Sequence, residues 1–138
     1  MADTFTLRIL TPEKQFADEP AEEIIFTTPE GRVGILAHHM SMFAAVAEET
    51  IEIKRDGVWK VAAAGQGFAE IFDNKADFYL DTVEWADEID AVRAREALKR
   101  AEERLKHETD HIEYLRTQSS LSRALARIKA AETQSHSQ

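Results

Sequence analysis

The chain has 138 residues, 43% of them hydrophobic, and a formal net charge of -9. This length allows one modest core with a small appendage, and the absence of cysteine excludes disulfides, thiolate nucleophiles and Cys-ligated zinc. Because an acidic chain repels nucleic acid and anionic lipid, neither is expected as a partner. The excess negative charge lies in positions 1–84, which hold 16 acidic and 7 basic residues, whereas positions 85–138 hold 10 of each.

The first half of the chain carries short segments in which apolar and polar residues alternate. Phe5, Leu7 and Ile9 follow the period of a strand with one buried face. Further strand-like segments are EEIIFTT at 22–28, TIEIK at 50–54, VWKVAAA at 58–64, GFAEIF at 67–72 and DFYLDTV at 77–83. Several short strands at this spacing, without helical patterns between them, predict an antiparallel sandwich or barrel.

Turn residues separate these strands. KRDGVW at 54–59 is the clearest hairpin signal, because Asp-Gly adopts the positive φ angles of a tight primed turn. GQG at 65–67 is too short to be a dinucleotide-binding fingerprint, so we interpret it as a bulge or a turn.

No glycine or proline lies beyond position 67, and the second half is predicted to form two helices. One apolar stripe, at steps of three and four, runs through Ala91, Ala94, Leu98, Ala101 and Leu105. A second stripe runs through Leu121, Ala124, Leu125, Ile128 and Ala131. Either Asp87 or Asp90 is expected to cap the first helix.

The pattern weakens between the two stripes. We place the turn between about Glu108 and Ser120, with Ile112 and Leu115 as packing points, and TQSHSQ at 133–138 is predicted to be a frayed tail. A seam rich in alanine is weak, because each buried methylene contributes only about 0.8 kcal/mol. A hairpin held in this way would be suited to opening and closing.

Each predicted helix carries an edge of arginines beside its apolar stripe. The edges consist of Arg93, Arg100 and Arg104 on the first helix and of Arg123 and Arg127 on the second. Arg123 and Arg127 repel each other at this spacing, and no acidic residue shares their edge. Two interpretations stay open: the arginines are solvated or paired with Glu96, Glu102 or Glu103, as is ordinary, or they bind a phosphate-bearing polyanion between the helices.

Other polar motifs do not predict an active site. HETDH at 107–111 matches H-E-x-x-H, but it lies among polar residues near the predicted turn, so no catalytic zinc is assigned. His38 and His39 would point to opposite faces of a strand and are assigned to a loop. The pairs Glu22/Glu23 and Glu48/Glu49 are interpreted as solvated strand ends.

Two segments carry a resemblance to a known family. EGRVGILAHHMSMFAAV at 30–46 and AAGQGFAEIFDNKADFYLDTVEWADEIDAVRA at 63–94 resemble the epsilon subunit of the bacterial F-type ATP synthase. The resemblance implies a β + α fold, an antiparallel β-sandwich of about ten short strands followed by an antiparallel two-helix hairpin. The corresponding domains are residues 1–86, which would bind the gamma subunit and the rotor ring, and residues 87–138, which would be regulatory.

The resemblance implies a non-catalytic central-stalk subunit that couples proton flow to ATP synthesis. Its hairpin would inhibit ATP hydrolysis when it extends towards the catalytic alpha and beta subunits. The subunit would lie peripherally at the cytoplasmic face of the bacterial cell membrane, touching the membrane only through the complex.

Some members of the family bind ATP in the folded form through an I/L-D-x-x-R-A motif and arginines on the second helix. The matching residues are Glu84, Ile89, Asp90, Arg93, Ala94, Arg123 and Arg127. ATP would be a regulatory ligand that this subunit does not hydrolyse, with no clear requirement for magnesium. The alternative is a stand-alone adaptor whose hairpin docks on a partner coiled coil without nucleotide.

Overall fold

The computed structural model describes residues 3–107 and 110–137. Its strands are Phe5–Leu10 (β1), Gln15–Ala21 (β2), Glu23–Thr28 (β3), Gly31–Leu36 (β4), Met42–Val46 (β5), Glu49–Arg55 (β6), Val58–Ala64 (β7), Gly67–Phe72 (β8), Lys75–Leu80 (β9) and Val83–Trp85 (β10). A 3₁₀ turn at Ala86–Glu88 leads to the helices Ala91–His107 (α1) and His111–Ser137 (α2). The predicted fold class, a β-sandwich followed by a helical hairpin, is confirmed. No described helix combines the length and the apolar character needed to span a bilayer.

The strands form two five-stranded sheets. Sheet A has the order β2-β1-β9-β8-β5, and sheet B has the order β10-β7-β6-β3-β4. The pairs are antiparallel except for β1 and β9, which run parallel with Leu7 beside Ala76. This pair departs from the predicted antiparallel pattern because two hairpins fix the strand directions independently: β1 follows its pairing with β2, and β9 follows its pairing with β8.

The predicted alternation in β1 is confirmed. Phe5, Leu7 and Ile9 are at most 3% exposed and belong to the core between the sheets. Phe26 of sheet B meets Phe78 of sheet A edge to face, with ring centroids 5.0 Å apart. Because a fully buried side chain of this size contributes about 1.5–3 kcal/mol, this core is the main source of the sandwich's stability.

The linkers between strands confirm one prediction and correct another. Asp56 and Gly57, with φ angles of 49° and 75°, form the predicted hairpin between β6 and β7. DFYLDTV is not a single strand, because β9 ends at Leu80 and the chain crosses at 81–82 from sheet A to sheet B. Apolar residues recur on both sides of this crossing, so the pattern alone does not reveal it.

Helix α1 buries the predicted stripe. Ala94 and Ala101 are at most 5% exposed, and the other members of the stripe are half-buried. The first turn is capped by Asp90, whose Oδ1 accepts hydrogen bonds from the backbone N–H groups of Val92 and Arg93 at 3.1 and 3.2 Å. Asp90, not Asp87, is therefore the cap.

The turn between the helices is shorter than predicted. α1 ends at His107, and Asp110 caps α2 by accepting from the backbone N–H groups of Ile112 and Glu113. The segment 112–120 is therefore helical. Ile112 and Leu115 are 62% and 50% exposed, so the prediction that they are packing points is wrong. The apolar periodicity did not show that Asp110 fixes the start of α2 by capping its first turn. Glu108, where the predicted turn begins, lies outside the described residues.

Helix α2 packs on α1 and also on strands β6 and β7. Its Ala126 and Ala130 are buried, Ala130 against Val61 of β7, whereas Leu125 of the predicted stripe is 50% exposed. Because α2 contacts both α1 and the strands β6 and β7, it buries two faces. The single predicted apolar stripe accounts for only one of them. α2 continues to Ser137, and Gln134 Oε1 accepts a hydrogen bond from the Val61 N–H at 2.9 Å. The frayed tail at 133–138 stays a prediction, and Gln138 lies outside the described residues.

At Gly67, the first residue of β8, the backbone of β9 lies too close to leave room for a side chain. A Cβ at this position would overlap the Tyr79 carbonyl oxygen and the Leu80 Cα of β9. Because these are backbone atoms of the paired strand, we expect Gly67→Ala to lower the free energy of unfolding by about 1–3 kcal/mol or more, measured by urea denaturation. Gly34→Ala is the control, since its Cβ would meet two side-chain atoms, the Glu23 Oε2 at 3.3 Å and the Ile25 Cγ1 at 3.9 Å, and its expected loss is within about 0.5 kcal/mol. Equal losses in the two variants would contradict the explanation.

Candidate functional site

Strand β10 brings Glu84 to the contact between the sandwich and α2. It pairs with β7 so that Glu84 lies opposite Ala63. Val61 and Ala63 of β7 are buried together with Ala130 of α2. α2 therefore lies over the β7–β10 edge of sheet B and places a polar edge beside Glu84.

A cavity of about 240 Å³ lies at this contact. Its lining consists of Ala63, Ala64, Gly65, Thr82, Val83 and Glu84 from the sandwich and of Arg123, Ala126 and Arg127 from α2. The structure thus brings three predicted site residues, Glu84, Arg123 and Arg127, to one cavity with a largely small and apolar lining. The volume is below the roughly 300–1,000 Å³ that is typical of sites enclosing a small-molecule ligand.

Arg127 has an acidic partner, contrary to the prediction. Its Nε donates to Glu84 Oε1, and the two side chains are 33% and 36% exposed. The partner was missed because it lies 43 residues away on β10 and not on the same helix. The hydrogen bond joins two charged groups, but its partial exposure limits its contribution to about 0–1 kcal/mol.

Glu48 lies beneath the first half of α2. Its Oε1 accepts a hydrogen bond from Ser119 Oγ at 3.2 Å, while its Oε2 is buried without a hydrogen-bond partner among the described residues. Burial raises the pKa of Glu48, and the Ser119 hydrogen bond and the charge of Arg123 lower it without cancelling the rise. The interpretation of Glu48 as a solvated strand end is therefore wrong, because α2 covers it.

Glu49 behaves in the opposite way. Burial raises its pKa, but the hydrogen bond from the Thr50 backbone N–H and the ammonium of Lys129, 3.1 Å away, outweigh burial and hold the pKa below its ordinary value. Glu49 is thus also a partner of α2 and not simply solvated. The net shifts favour the ionised form of Glu49 and the neutral form of Glu48 in the folded chain.

The other predicted site residues lie at the start of α1, outside the lining of the cavity. Asp90 uses its carboxylate as the cap of α1, Ile89 packs against the cluster that contains Ala130, and Ala94 is fully buried. Arg93 is exposed, and its side chain makes no ion pair or hydrogen bond within residues 3–107 and 110–137. Of these residues, Arg93 has the side chain that is available to a ligand.

The arginine edge of α1 is solvent-facing. Of the two ordinary states predicted for Arg93, Arg100 and Arg104, solvation is the one observed, since none of them pairs with Glu96, Glu102 or Glu103 in the described part of the chain. Glu103 instead pairs with Lys106 at 3.6 Å. Exposed long side chains lose entropy when they pair, which explains why ion pairs at such spacings often do not form.

The histidine motifs are separated by the fold. His107 ends α1 and His111 begins α2, so the two imidazoles do not share one helix; Glu108 and Thr109 lie outside the described residues. No group of three or more potential metal ligands occurs among the residues that the structure describes. His38 lies in the loop after β4 with a φ angle of 64°, as the loop assignment predicted.

Comparison with known families gives two matches that together cover most of the chain. Residues 4–86 match the model described as ATP synthase, Delta/Epsilon chain, beta-sandwich domain. Residues 87–132 match the model described as ATP synthase, Delta/Epsilon chain, long alpha-helix domain.

Two relatives extend the comparison over nearly the full length. The ATP synthase epsilon chain of Ruminiclostridium cellulolyticum is 40% identical over 127 residues, which cover 92% of this chain and 95% of that protein. The ATP synthase epsilon chain of Caldanaerobacter subterraneus subsp. tengcongensis is 40% identical over 132 residues, which cover 95% of this chain and 96% of that protein.

Solved structures share the fold at lower identity. A chain of the Euglena gracilis mitochondrial ATP synthase (OSCP/F1/c-ring) gives a TM-score of 0.82 at 22% identity, over 94% of this chain and 81% of that chain. A chain of the Tetrahymena thermophila mitochondrial ATP synthase (central stalk/c-ring) gives 0.62 at 14% identity, over 94% and 98%.

The neighbouring carboxylates Glu48 and Glu49 predict opposite pH effects. Because the pKa of Glu48 is raised in the folded chain, the stability linked to its proton is present below its ordinary pKa and lost as the pH rises through the folded value. Glu48→Gln should therefore raise the free energy of unfolding at pH 7, by less than about 1 kcal/mol, and have little effect near pH 4. Unfolding in urea at both pH values measures this.

Glu49→Gln is the matched control. The lowered pKa of Glu49 means that its contribution is present above its ordinary pKa and lost as the pH falls through the folded value. This variant should lose stability at pH 7 and lose less under acidic conditions. Two variants that shift stability in the same direction at pH 7 would refute the assignment.

Proposed function

The chain belongs to the ATP synthase delta/epsilon family, and we propose that it is a central-stalk subunit whose hairpin is held docked by ATP and inhibits ATP hydrolysis when released. Epsilon chains are non-catalytic subunits, so this chain is a non-catalytic component of the ATP synthase. The observation that carries the regulatory part is the cavity at which Arg123 and Arg127 of α2 meet Glu84 of β10.

The chemistry of the cavity favours a phosphate-bearing ligand. Two guanidinium groups on successive turns of α2 can donate charge-assisted hydrogen bonds to phosphate oxygens. The exposed Arg93 at the start of α1 is a further cation for the same ligand. Because the cavity holds only about 240 Å³, ATP would fill it in part and extend along its mouth.

Glu84 and Asp90 would orient the adenosine end, as the family motif implies. Asp90 already accepts two backbone hydrogen bonds as the cap of α1. Its contribution would therefore come through the position of the first turn of α1, whose Ile89 and Ala94 are fixed by packing.

Ligand binding at this contact would favour the docked hairpin. The surface that buries α2 on β7 consists of small side chains, chiefly Ala63, Ala126 and Ala130. A ligand that binds only the docked form stabilises it by about 2.7 kcal/mol at a hundredfold excess over its dissociation constant. This free energy is comparable to that of burying a few methylene groups. ATP binding would therefore shift the equilibrium between the docked and the released hairpin without ATP hydrolysis.

The partners proposed for the sandwich are the gamma subunit and the rotor c-ring, and the released hairpin would reach the catalytic alpha and beta subunits. The likeness to chains of two mitochondrial ATP synthase structures supports the shared architecture. The subunit would lie at the cytoplasmic face of the bacterial cell membrane as a peripheral part of the proton-translocating complex.

The ATP site is tested by titration calorimetry of the isolated chain. We expect ATP to bind, and Arg123→Ala/Arg127→Ala to weaken binding by at least tenfold, because it removes two charge-assisted donors. Arg116→Ala is the control, since Arg116 lies on the same helix but pairs with Glu113 at 3.0 Å, away from the cavity. Unchanged ATP affinity in the double variant would refute this site.

The inhibitory role is tested in the assembled ATP synthase. A chain truncated after Glu88 lacks both helices, and the complex that contains it should hydrolyse ATP faster than the complex with the full chain. Circular dichroism and co-purification with the other subunits verify that the sandwich remains folded and bound. Equal hydrolysis rates in complexes of equal composition would show that the hairpin is not inhibitory.

A further inference from the structure

Thr117 of α2 is a buried polar side chain without a hydrogen bond. It is 1% exposed, and its hydroxyl oxygen has no hydrogen-bond partner among the described residues. Other hydroxyl groups of α2 are paired: Ser120 Oγ donates to the Arg116 carbonyl at 3.1 Å, and Thr133 Oγ1 donates to the Lys129 carbonyl at 2.8 Å. Thr117 therefore departs from the rule that buried polar groups are hydrogen-bonded.

The position of Thr117 on α2 shows that it faces α1 and not the sandwich. At about 100° per residue, it lies within roughly 20° of the buried Ala124 and about 180° from Ala126, which lines the contact with the sandwich. Thr117 lies six residues after the start of α2, and Ala101 lies six residues before the end of α1. Because the two helices run antiparallel, Thr117 is buried near the level of Ala101 in the seam between them.

This seam between α1 and α2 gains little from apolar burial. The alanines Ala94, Ala101 and Ala124 are buried there, and each of them contributes a single methyl group. The hydroxyl group of Thr117 loses its hydrogen bonds to water when the helices pack, and it gains none in return. When the helices separate, water hydrates this hydroxyl group again, so it favours the separated helices.

We propose that Thr117 is a built-in weak point of the hairpin: its unpartnered hydroxyl group opposes the packing of α1 on α2, so that the two helices separate readily when the hairpin extends. The regulatory consequence rests on the function proposed above, whereas the effect on helix packing does not. Thr117 lies on the face of α2 opposite to the cavity at β10, so this device is independent of any ligand bound there.

The backbone amide of Ala101 reports on the seam. Ala101 is in the interior of α1, which has 17 residues and packs mainly on α2. Because an isolated helix of this length is marginal in water, α1 frays when it leaves α2, and the Ala101 amide then exchanges with solvent. Its hydrogen exchange can be followed by NMR on the full chain without nucleotide.

The test uses Thr117→Val, which keeps the shape of the side chain and removes the hydroxyl group. Because the cost of the unpartnered hydroxyl group disappears, the Ala101 amide should exchange at least about fivefold more slowly than in wild type. Unchanged or faster exchange in this variant would overturn the proposal.

Two further variants separate the hydroxyl group from other effects of the substitution. Thr133→Val makes the same change on the same helix, but at a hydroxyl group that has a partner, so it should not slow the exchange of Ala101. Thr117→Ser keeps the hydroxyl group and loses the methyl group, and its exchange should be as fast as that of wild type or faster. Slowing in either variant to the extent seen in Thr117→Val would contradict the role of the hydroxyl group.

The regulatory consequence is measured in the assembled ATP synthase. Thr117→Val should raise the rate of ATP hydrolysis above that of wild type, because its hairpin stays folded, whereas Thr133→Val should not. Slower exchange of Ala101 with an unchanged hydrolysis rate would overturn the regulatory part. If truncation after Glu88 also leaves hydrolysis unchanged, the function proposed above has failed instead, and the exchange rates alone decide the effect of Thr117.

Discussion

The arrangement of this molecule depends on the contact between α2 and the β7–β10 edge of sheet B. Small side chains form it, with Ala130 buried on Val61 and Ala63, so it buries little apolar surface compared with the core between the sheets. The sandwich keeps its own core of large side chains, such as Phe26 and Phe78, without help from the helices. A strong domain and a weakly attached hairpin therefore coexist in one chain.

Charged side chains, in addition to the small apolar ones, influence the stability of the contact between α2 and the sandwich. Glu49 and Glu84 of the sandwich hold Lys129 and Arg127 of α2, whereas Glu48 is buried with one oxygen atom unsatisfied. Each such interaction is small because water reaches it. The nucleotide regulation proposed above, which involves no hydrolysis, would act on this contact.

The fold could be predicted from the sequence because its signals are local. The period of β1, the Asp-Gly hairpin and the apolar stripe of α1 all depend on neighbouring residues. The site could be predicted only in part, because its partners are distant in sequence: Glu84 meets Arg127, Glu48 meets Ser119 and Val61 meets Gln134. No rule of residue spacing predicts contacts between such distant positions. For the same reason the sequence did not reveal the second buried face of α2, which packs on strands far away in the chain. Helix spacing singled out Arg123 and Arg127 and the family resemblance added Glu84, while nothing local showed that Glu48, Lys129 and Gln134 lie at the contact of α2 with the sandwich.

The hydrogen bond between the Val61 N–H and Gln134 has one more consequence. β10 is short and leaves β7 with an uncovered margin beyond residue 62, which the end of α2 closes. In the released hairpin proposed above, this margin would present a bare peptide donor next to the apolar side chains of Val61 and Ala63. Such open strand margins recruit other chains, so in the docked position the end of α2 shields a strand edge that would otherwise be open to pairing with another chain.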